Sequence, residues 1–402
     1  MLLKFKRICN VKSNLRIMMR LMIIVLYVIS LTACSGDGEN SMGSNGGEDT
    51  WLFHQGGVVC KGASARPVTG TEVYVASDGN DENAGISPQE AFATLARALC
   101  NAQPGLTVHV GTGTYNESVL LSEFGERDNP IRIIGQIGPG GELPVLDGGK
   151  TLTYGIAIIG EDESRKSFGF VVENLEFRNY TDAGITAVLS ENITLRNCIL
   201  RGNGFHGANP DNNGEGFGAD FVDVIGLVID AVEAVGNGPE PSVWQRGILG
   251  NDITIFGSQK VEVRNCYTHD GVGGGLLVED SFNVLVENNR FNDAVLTAPN
   301  DEVDGAIWVD GGHDITVRNN IIDNNRGPGL QISDEGVQKP YDYLFQDNTI
   351  SNNDLGVFIW NFGVCPWPAS SILQMIDNTF SNNKDGDLKC EEWACGVGVP
   401  CD

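Results

Sequence analysis

Residues 315–325 read ITVRNNIIDNN, a short apolar–polar alternation closed by paired asparagines. The phrase returns as VLVENNRFND from Val284, LFQDNTISNN from Leu344 and QMIDNTFSNN from Gln374. Aligned, Asn289, Asn320, Asn348 and Asn378 share one column. Further back, Cys266, Ala231, Cys198 and Leu175 take the same place, at intervals of 23, 33, 35, 23, 31, 28 and 30 residues. Alternation with period two predicts strands. A fixed motif at variable spacing predicts successive coils that carry loop insertions.

A second strand recurs in each unit and opens on glycine: GITAVL from Gly184, GFGADF from Gly216, GLLVED from Gly275, GAIWVD from Gly305, GLQISD from Gly329 and GVFIWN from Gly356. DITIFG from Asp252 fits with Asp in the place of Gly. Alternation turns Ile185, Phe217, Ile253, Leu276, Ala306, Leu330 and Val357 inward, with Ile255, Trp308 and Ile359 two residues on. Stacked parallel strands of this kind predict an all-β chain, a single right-handed parallel β-helix with rungs about 4.8 Å apart. Asparagines in one column then sit at an inward turn and hydrogen-bond along the stack, satisfying amides that water cannot reach. In the same column Cys198 and Cys266 are expected as buried free thiols.

The segments VYVASDGNDENAGISPQEAFATLARAL (73–99) and PGLTVHVGTGTYNE (104–117) resemble the opening of many bacterial right-handed β-helix proteins, β-helix pectate lyases among them. The resemblance covers roughly residues 71–385. It implies a short helix over 89–102 that caps the open end of the solenoid and hides its strand edges. The fold itself hosts lyases, hydrolases, epimerases and non-catalytic adhesins, so it does not name an activity.

Residues 1–33 carry six Lys/Arg, no acid and an eleven-residue apolar run, LMIIVLYVISL, too short for a stable membrane span. Leu31-Thr32-Ala33-Cys34 resembles the lipobox of bacterial lipoproteins, which implies lipidation at Cys34. Ser35 after that cysteine implies, by the same resemblance, sorting to the outer membrane. The expected division is a lipoprotein signal (1–33), the lipidated cysteine with a flexible tether (34–50), an N-terminal cap with the first coils (51–150), the β-helix (151–385) and a Cys-rich C-terminal cap (386–402). A monomer is expected, held at the membrane by its lipid alone.

Of 402 residues, 53 are Asp/Glu and 26 are Lys/Arg; with the six leader cations gone the net charge is near −33. That excess excludes nucleic acid as a partner. An acidic polysaccharide would need bridging cations or a local basic patch. Cys60, Cys100, Cys365, Cys390, Cys395 and Cys401 read as disulfide cysteines of an exported protein, with no pairing assigned.

The long insertions 201–215, 236–251 and 292–304 fall before Gly-led strands, so they wall the outer face of that sheet, and loops are where function collects. Three readings compete for its acids. Asp301, Glu302 and Asp304 could hold Ca²⁺, which takes several oxygen ligands and could bridge a uronate. Asp220 and Glu279, read as one column two rungs and about 10 Å apart, suit an inverting acid–base pair. Asp280, Asp310 and Asp334 fit turn caps that accept backbone N–H bonds. A lyase would also need a base. NGEGFGAD (213–220) resembles a pectate-lyase stretch that ends in a catalytic Lys, but Asp220 stands near the place of that Lys. The Asn-Thr-Asp, Asp-Asp and Gly-His-Gly set of β-helix polygalacturonases is not matched; GGHD at 311–314 is not that motif. Arg246, beside Trp244 in PSVWQRG, is then the first candidate base, and Trp244, Trp360 and His206 are candidate sugar contacts. His269, Arg326 and Lys339 complete the basic candidates. The expectation is a cell-surface carbohydrate-active protein, lyase, epimerase or hydrolase, working in the groove of the Gly-led sheet. The alternative is a non-catalytic glycan-binding or structural surface protein.

Overall fold

A computed structural model of the chain describes residues 53–54, 57–58, 70–100, 102–122, 128–160, 167–205, 216–240, 250–296, 304–333, 341–359 and 373–390. From Glu72 onward the strands stack in parallel register on three faces. The Gly-led face runs through Tyr154–Ile159, Asn251–Phe256, Gly274–Glu279, Ile307–Asp310, Pro328–Ser333 and Leu355–Ile359. A second face carries Ser167–Glu173, Gln259–Arg264, Phe282–Glu287, His313–Arg318 and Tyr341–Gln346. The third consists of short strands such as Glu176–Arg178, Ile199–Arg201, Tyr267–His269 and Ile321–Asp323. Ala183–Arg196 and Phe217–Asp230 each turn the corner between the first two faces as one long strand. The chain is a right-handed parallel β-helix.

Alternation fills its interior with a continuous column from each face. On the Gly-led face the column is Ile156, Ile185, Ala219, Ile253, Leu276, Ile307, Leu330 and Val357, all fully buried. Corners are made by left-handed residues. Asn197, Asn265, Asn288 and Asn319 have φ between 50° and 57°, a region asparagine tolerates better than most residues. The residue that follows each of them points inward and joins the ladder.

The asparagine column behaves as the alternation predicts. Asn289 Nδ2 and its backbone N–H both donate to Asn320 Oδ1, at 3.0 Å each. Asn320 Nδ2 donates to Asn348 Oδ1 and to the carbonyl of Val286, and Asn348 repeats the pattern with Asn378. A second ladder lies one corner on, where Asn325, Asn353 and Asn383 bond in the same way. Cys198 and Cys266 are buried and free. Their S–H groups donate to the Arg196 and Arg264 carbonyls, and burial pushes both thiols up to about 12. Cys100 and Cys390, at opposite ends of the solenoid, each belong to a separate disulfide.

Four sequence expectations shift here. The column member expected at Ala231 is Val232, because Ala231 takes the left-handed place before it at φ 54°. The Gly-led register passes through Ala219 rather than Phe217, and through Ile307 rather than Ala306. Trp308 therefore points outward, not inward, and Ile307 and Val309 are core. The misreading came from the glycine. Gly305 lies one place before the column that its counterparts Gly275 and Gly329 occupy, which Ala306 fills here. Finally, the helix expected over 89–102 is two shorter pieces, a 3-10 turn at Pro88–Glu90 and an α-turn at Leu95–Ala98. Between them Ala91 is extended and Phe92 bridges to Val75, so the first expected turns are drawn into sheet-like pairing.

Glu117 accepts the N–H groups of Leu95 and Ala96 at the start of that α-turn. Enclosure still outweighs these bonds and pushes its carboxyl up to about 7, with Asp81 adding to the effect. The folded chain thus keeps a proton that the unfolded chain releases, and this contribution to stability is lost as pH rises through about 7. Glu117→Gln should flatten the fall in melting temperature between pH 5 and 8. An unchanged slope would show that Glu117 is already ionised when folded. Asn320→Ala strands the amide of Asn289 and the carbonyl of Val286 in the core. It should cost about 3 kcal/mol or more, read as a lowered denaturation midpoint; a neutral outcome would mean that the ladder bonds are replaceable.

Candidate active site on the Gly-led face

Two columns of outward side chains run along the Gly-led face. The first is Thr186, Asp220, Thr254, Leu277, Trp308, Gln331 and Phe358. The second is Val188, Val222, Phe256, Glu279, Asp310 and Ser333. Asp220 and Glu279 are therefore not in one column, as alternation alone had them. They sit on a diagonal, two rungs and two residues apart, which places their Cα atoms about 12 Å from one another. The slip arose from the missed register of Gly216.

The neighbour of Glu279 is Asp310, on the next rung of the same column and so about 4.8 Å away at Cα. Alternation from Gly305 makes Asp310 a turn cap beside Asp280. Asp280 occupies the turn, with φ 47°, in the column of Gly257 and Gly311, whereas Asp310 does not; Asp334 lies outside the described residues. Asp310 is 2% exposed and Glu279 9%, so a carboxylate pair lies largely out of water on a face that the solenoid core does not need. Ser333 Oγ donates to Asp310 Oδ1 at 2.9 Å, and Trp308 Nε1–H donates to Ser333 Oγ at 2.7 Å. Gln331 is buried in the adjacent column. Thr254 Oγ1, beside Asp220, is buried with no hydrogen-bond partner among the described residues.

Polarity changes abruptly along the second column. Val188, Val222 and Phe256 form a small apolar cluster of their own, and the next three rungs carry Glu279, Asp310 and Ser333. Among the described residues the cation placed in these columns is Lys389, at the last rung, with its Nζ over the Phe358 ring. Three of the described arginines pair on other faces: Arg264 with Asp230 and Arg318 with Glu287 on the second, Arg178 with Asp147 on the third. His269 also lies on the third face, with Nδ1 2.7 Å from Asp270 and Nε2 3.4 Å from Glu233. It is remote from the carboxylate pair.

Of the remaining expected site residues, Asp304 stands at the mouth of the Gly-led face beside Gly274. His206, Trp244, Arg246, Asp301, Glu302, Trp360 and Cys34 lie outside the described residues. No group of three His, Cys, Asp or Glu side chains among the described residues is placed to hold a metal.

Asp252, the residue that stands in the place of Gly in its strand, turns into the corner. In the second ladder the places run Asn203, Asn237, Gly271, Ala294, Asn325 and Asn353. Gly271 offers no side chain to accept from Asn237. Asp252, where neighbouring coils have Gly218 and Gly275, fills that space: Asn237 Nδ2 donates to its Oδ1 at 2.8 Å. A Cβ on Gly271 would lie 2.8 Å from the other carboxyl oxygen. Burial pushes this acid well above the usual carboxylate range, and Asp270 adds to the shift.

The family model described as "Right handed beta helix region" matches residues 152–295 and 245–399, together more than half the chain. The uncharacterized protein YwoF of Bacillus subtilis (strain 168) is 25% identical over 319 residues, 71% of this chain. The match spans 63% of that relative, less than two thirds of its length. Among solved structures, pectate lyase Pel9A superposes with a TM-score of 0.56 at 13% identity, covering 84% of this chain and 83% of the lyase. An alginate lyase from Paenibacillus sp. str. FPU-7 gives 0.50 at 15% identity, covering 73% and 95%. At these identities the likeness is one of fold.

The exchange at Asp252 and Gly271 makes a testable pair. Asp252→Asn keeps the acceptor toward Asn237 and cannot ionise. Since a raised acid loses its stabilising effect as pH rises through its folded value, the Asn variant should melt higher than the parent at alkaline pH, with the gap closing toward pH 4. Asp252→Gly and Gly271→Asn should each destabilise. The double variant, which restores the ladder in its ordinary place, should recover about 1–3 kcal/mol relative to the sum. Strict additivity in denaturant titrations would show that the two positions do not share one role.

Proposed function

This chain belongs to the right-handed β-helix family, and we propose that it is a carbohydrate-active protein, a glycoside hydrolase that works on the outer Gly-led face. The observation that carries the reading is the pair Glu279 and Asp310, adjacent in one column, nearly buried and flanked by Trp308 and Gln331. Two carboxyl groups across a glycosidic bond supply what hydrolysis needs, a proton for the leaving oxygen and a carboxylate facing the anomeric carbon or the attacking water. An outward indole next to them offers a flat surface on which a sugar ring can stack. Fold likeness to a pectate lyase and an alginate lyase supports a polysaccharide as substrate by analogy. Asp220, about 12 Å away on the diagonal, becomes a substrate contact in this reading rather than half of the pair.

A lyase would draw its base from Arg246, with Trp244, His206 and Trp360 as sugar contacts. Ca²⁺ at Asp301, Glu302 and Asp304 belongs to the same proposal, as the bridge to a uronate. We also propose export with lipidation at Cys34 and anchoring at the outer membrane. Mass spectrometry of the chain expressed in a bacterial host would detect that lipid or its absence.

The test is a screen of neutral and acidic polysaccharides, with Ca²⁺ and with EDTA, following reducing ends and absorbance at 235 nm. Reducing ends without absorbance are expected. Glu279→Gln and Asp310→Asn should each lower kcat by about 10²-fold or more, with Asp220→Asn acting mainly on KM. New absorbance would replace hydrolysis by elimination. Silence on every glycan, with binding retained in affinity gels, would turn the reading into a non-catalytic glycan-binding protein.

A further inference from the structure

The bonds behind the carboxylate pair have a direction. An indole N–H can only donate, so at 2.7 Å Trp308 obliges Ser333 Oγ to accept. The single hydroxyl proton of Ser333 is then free for one acceptor, and Asp310 Oδ1 lies 2.9 Å away. Ser333 is fully buried, so water does not compete for it. The strand ends are locked as well, because the Gly311 N–H donates to the Ser333 carbonyl and the Asp280 N–H to the Asp310 carbonyl. With one lone pair taken by the indole, the Ser333 proton points to Asp310 Oδ1, and a bond to the charged form of a carboxyl group favours that form.

The titratable groups facing Asp310 among the described residues are few. Glu279 is its neighbour on the preceding rung and Asp280 occupies the turn, while the following rung brings neutral Ser333. Two dry carboxyl groups on adjacent rungs of one column resist double ionisation. We propose that Ser333, oriented by Trp308, is a positioning residue that holds Asp310 as the ionised member of the pair and leaves the shared proton on Glu279. The proposal rests on the hydrolase reading for its meaning, since it makes Glu279 the general acid and Asp310 the carboxylate opposite it. The bond network can be tested without turnover.

The probe is the Trp308 indole N–H resonance of the ¹⁵N-labelled chain, identified by its loss in Trp308→Phe. It should hold a constant position from pH 5 to 8 and be displaced by Asp310→Asn. In Ser333→Ala the indole should become indifferent to Asp310→Asn, and Ser333→Thr should restore the coupling. A titration step between pH 5 and 8 that vanishes in Asp310→Asn would mean that Asp310 carries the proton, and would overturn the proposal. So would an indole that ignores Asp310 in the parent chain. If a glycan is turned over, Ser333→Ala should move the acid limb of the kcat profile up by about one pH unit, and Ser333→Thr should return it. Indole coupling without turnover on any glycan would leave the relay standing and remove the hydrolase. Turnover without coupling would do the reverse.

Discussion

Every coil of this molecule must bury the backbone of its corners, and a buried N–H or C=O left unpaired costs more than most single contacts return. The two asparagine ladders meet that requirement. Each amide accepts from the rung before it, donates to the rung after it and closes a carbonyl of the preceding coil. The bonds run along the axis, so they fix which residue stacks on which. Insertions of different length can leave a coil and return without disturbing that register. The outer columns, and with them the candidate site, inherit their alignment from the ladders.

This explains how much was legible beforehand. The asparagine phrase repeats in sequence because the same corner repeats in space, and the alternation beside it has a single interpretation as strand. The Gly-led strand carries a weaker mark. Glycine is used there for the close approach of a neighbouring corner, a demand that Ala306 or Asp252 can also meet. A register read from glycine therefore slips by one residue at Gly305 and by two at Gly216, and one slip exchanges core for surface. The slip at Gly305 puts Trp308 in the core and Asp310 at the turn. The pairing of Glu279 with Asp310 follows only once Leu276 is known to stack on Ile307.

Asp252 shows the opposite limit. A lone Asp in a glycine column and a Gly in an asparagine column look like unrelated irregularities, nineteen residues apart in the sequence. In space they are one exchange, in which a carboxyl group supplied from the strand takes the place of an amide missing from the turn. An acid at the mouth of a groove invites a chemical role. Here the geometry gives it a structural one, and the shift of its proton affinity is a consequence of the enclosure.

The same reasoning separates Glu279 and Asp310 from the fold. Column positions on the outer face accept Val188, Val222 and Phe256, three buried apolar side chains that pack on one another. The solenoid therefore has no need of charge at these places. Yet the next three rungs bury a glutamate, an aspartate and a serine, with a tryptophan and a glutamine alongside. Dry carboxylates side by side lower stability unless something is gained from them. No ladder bond runs through them, and the rungs above and below are held without their help. Such a concentration of polar groups, where apolar side chains serve the neighbouring rungs, is what supports the proposed site. On this chain that concentration falls at the rungs of Glu279, Asp310 and Ser333.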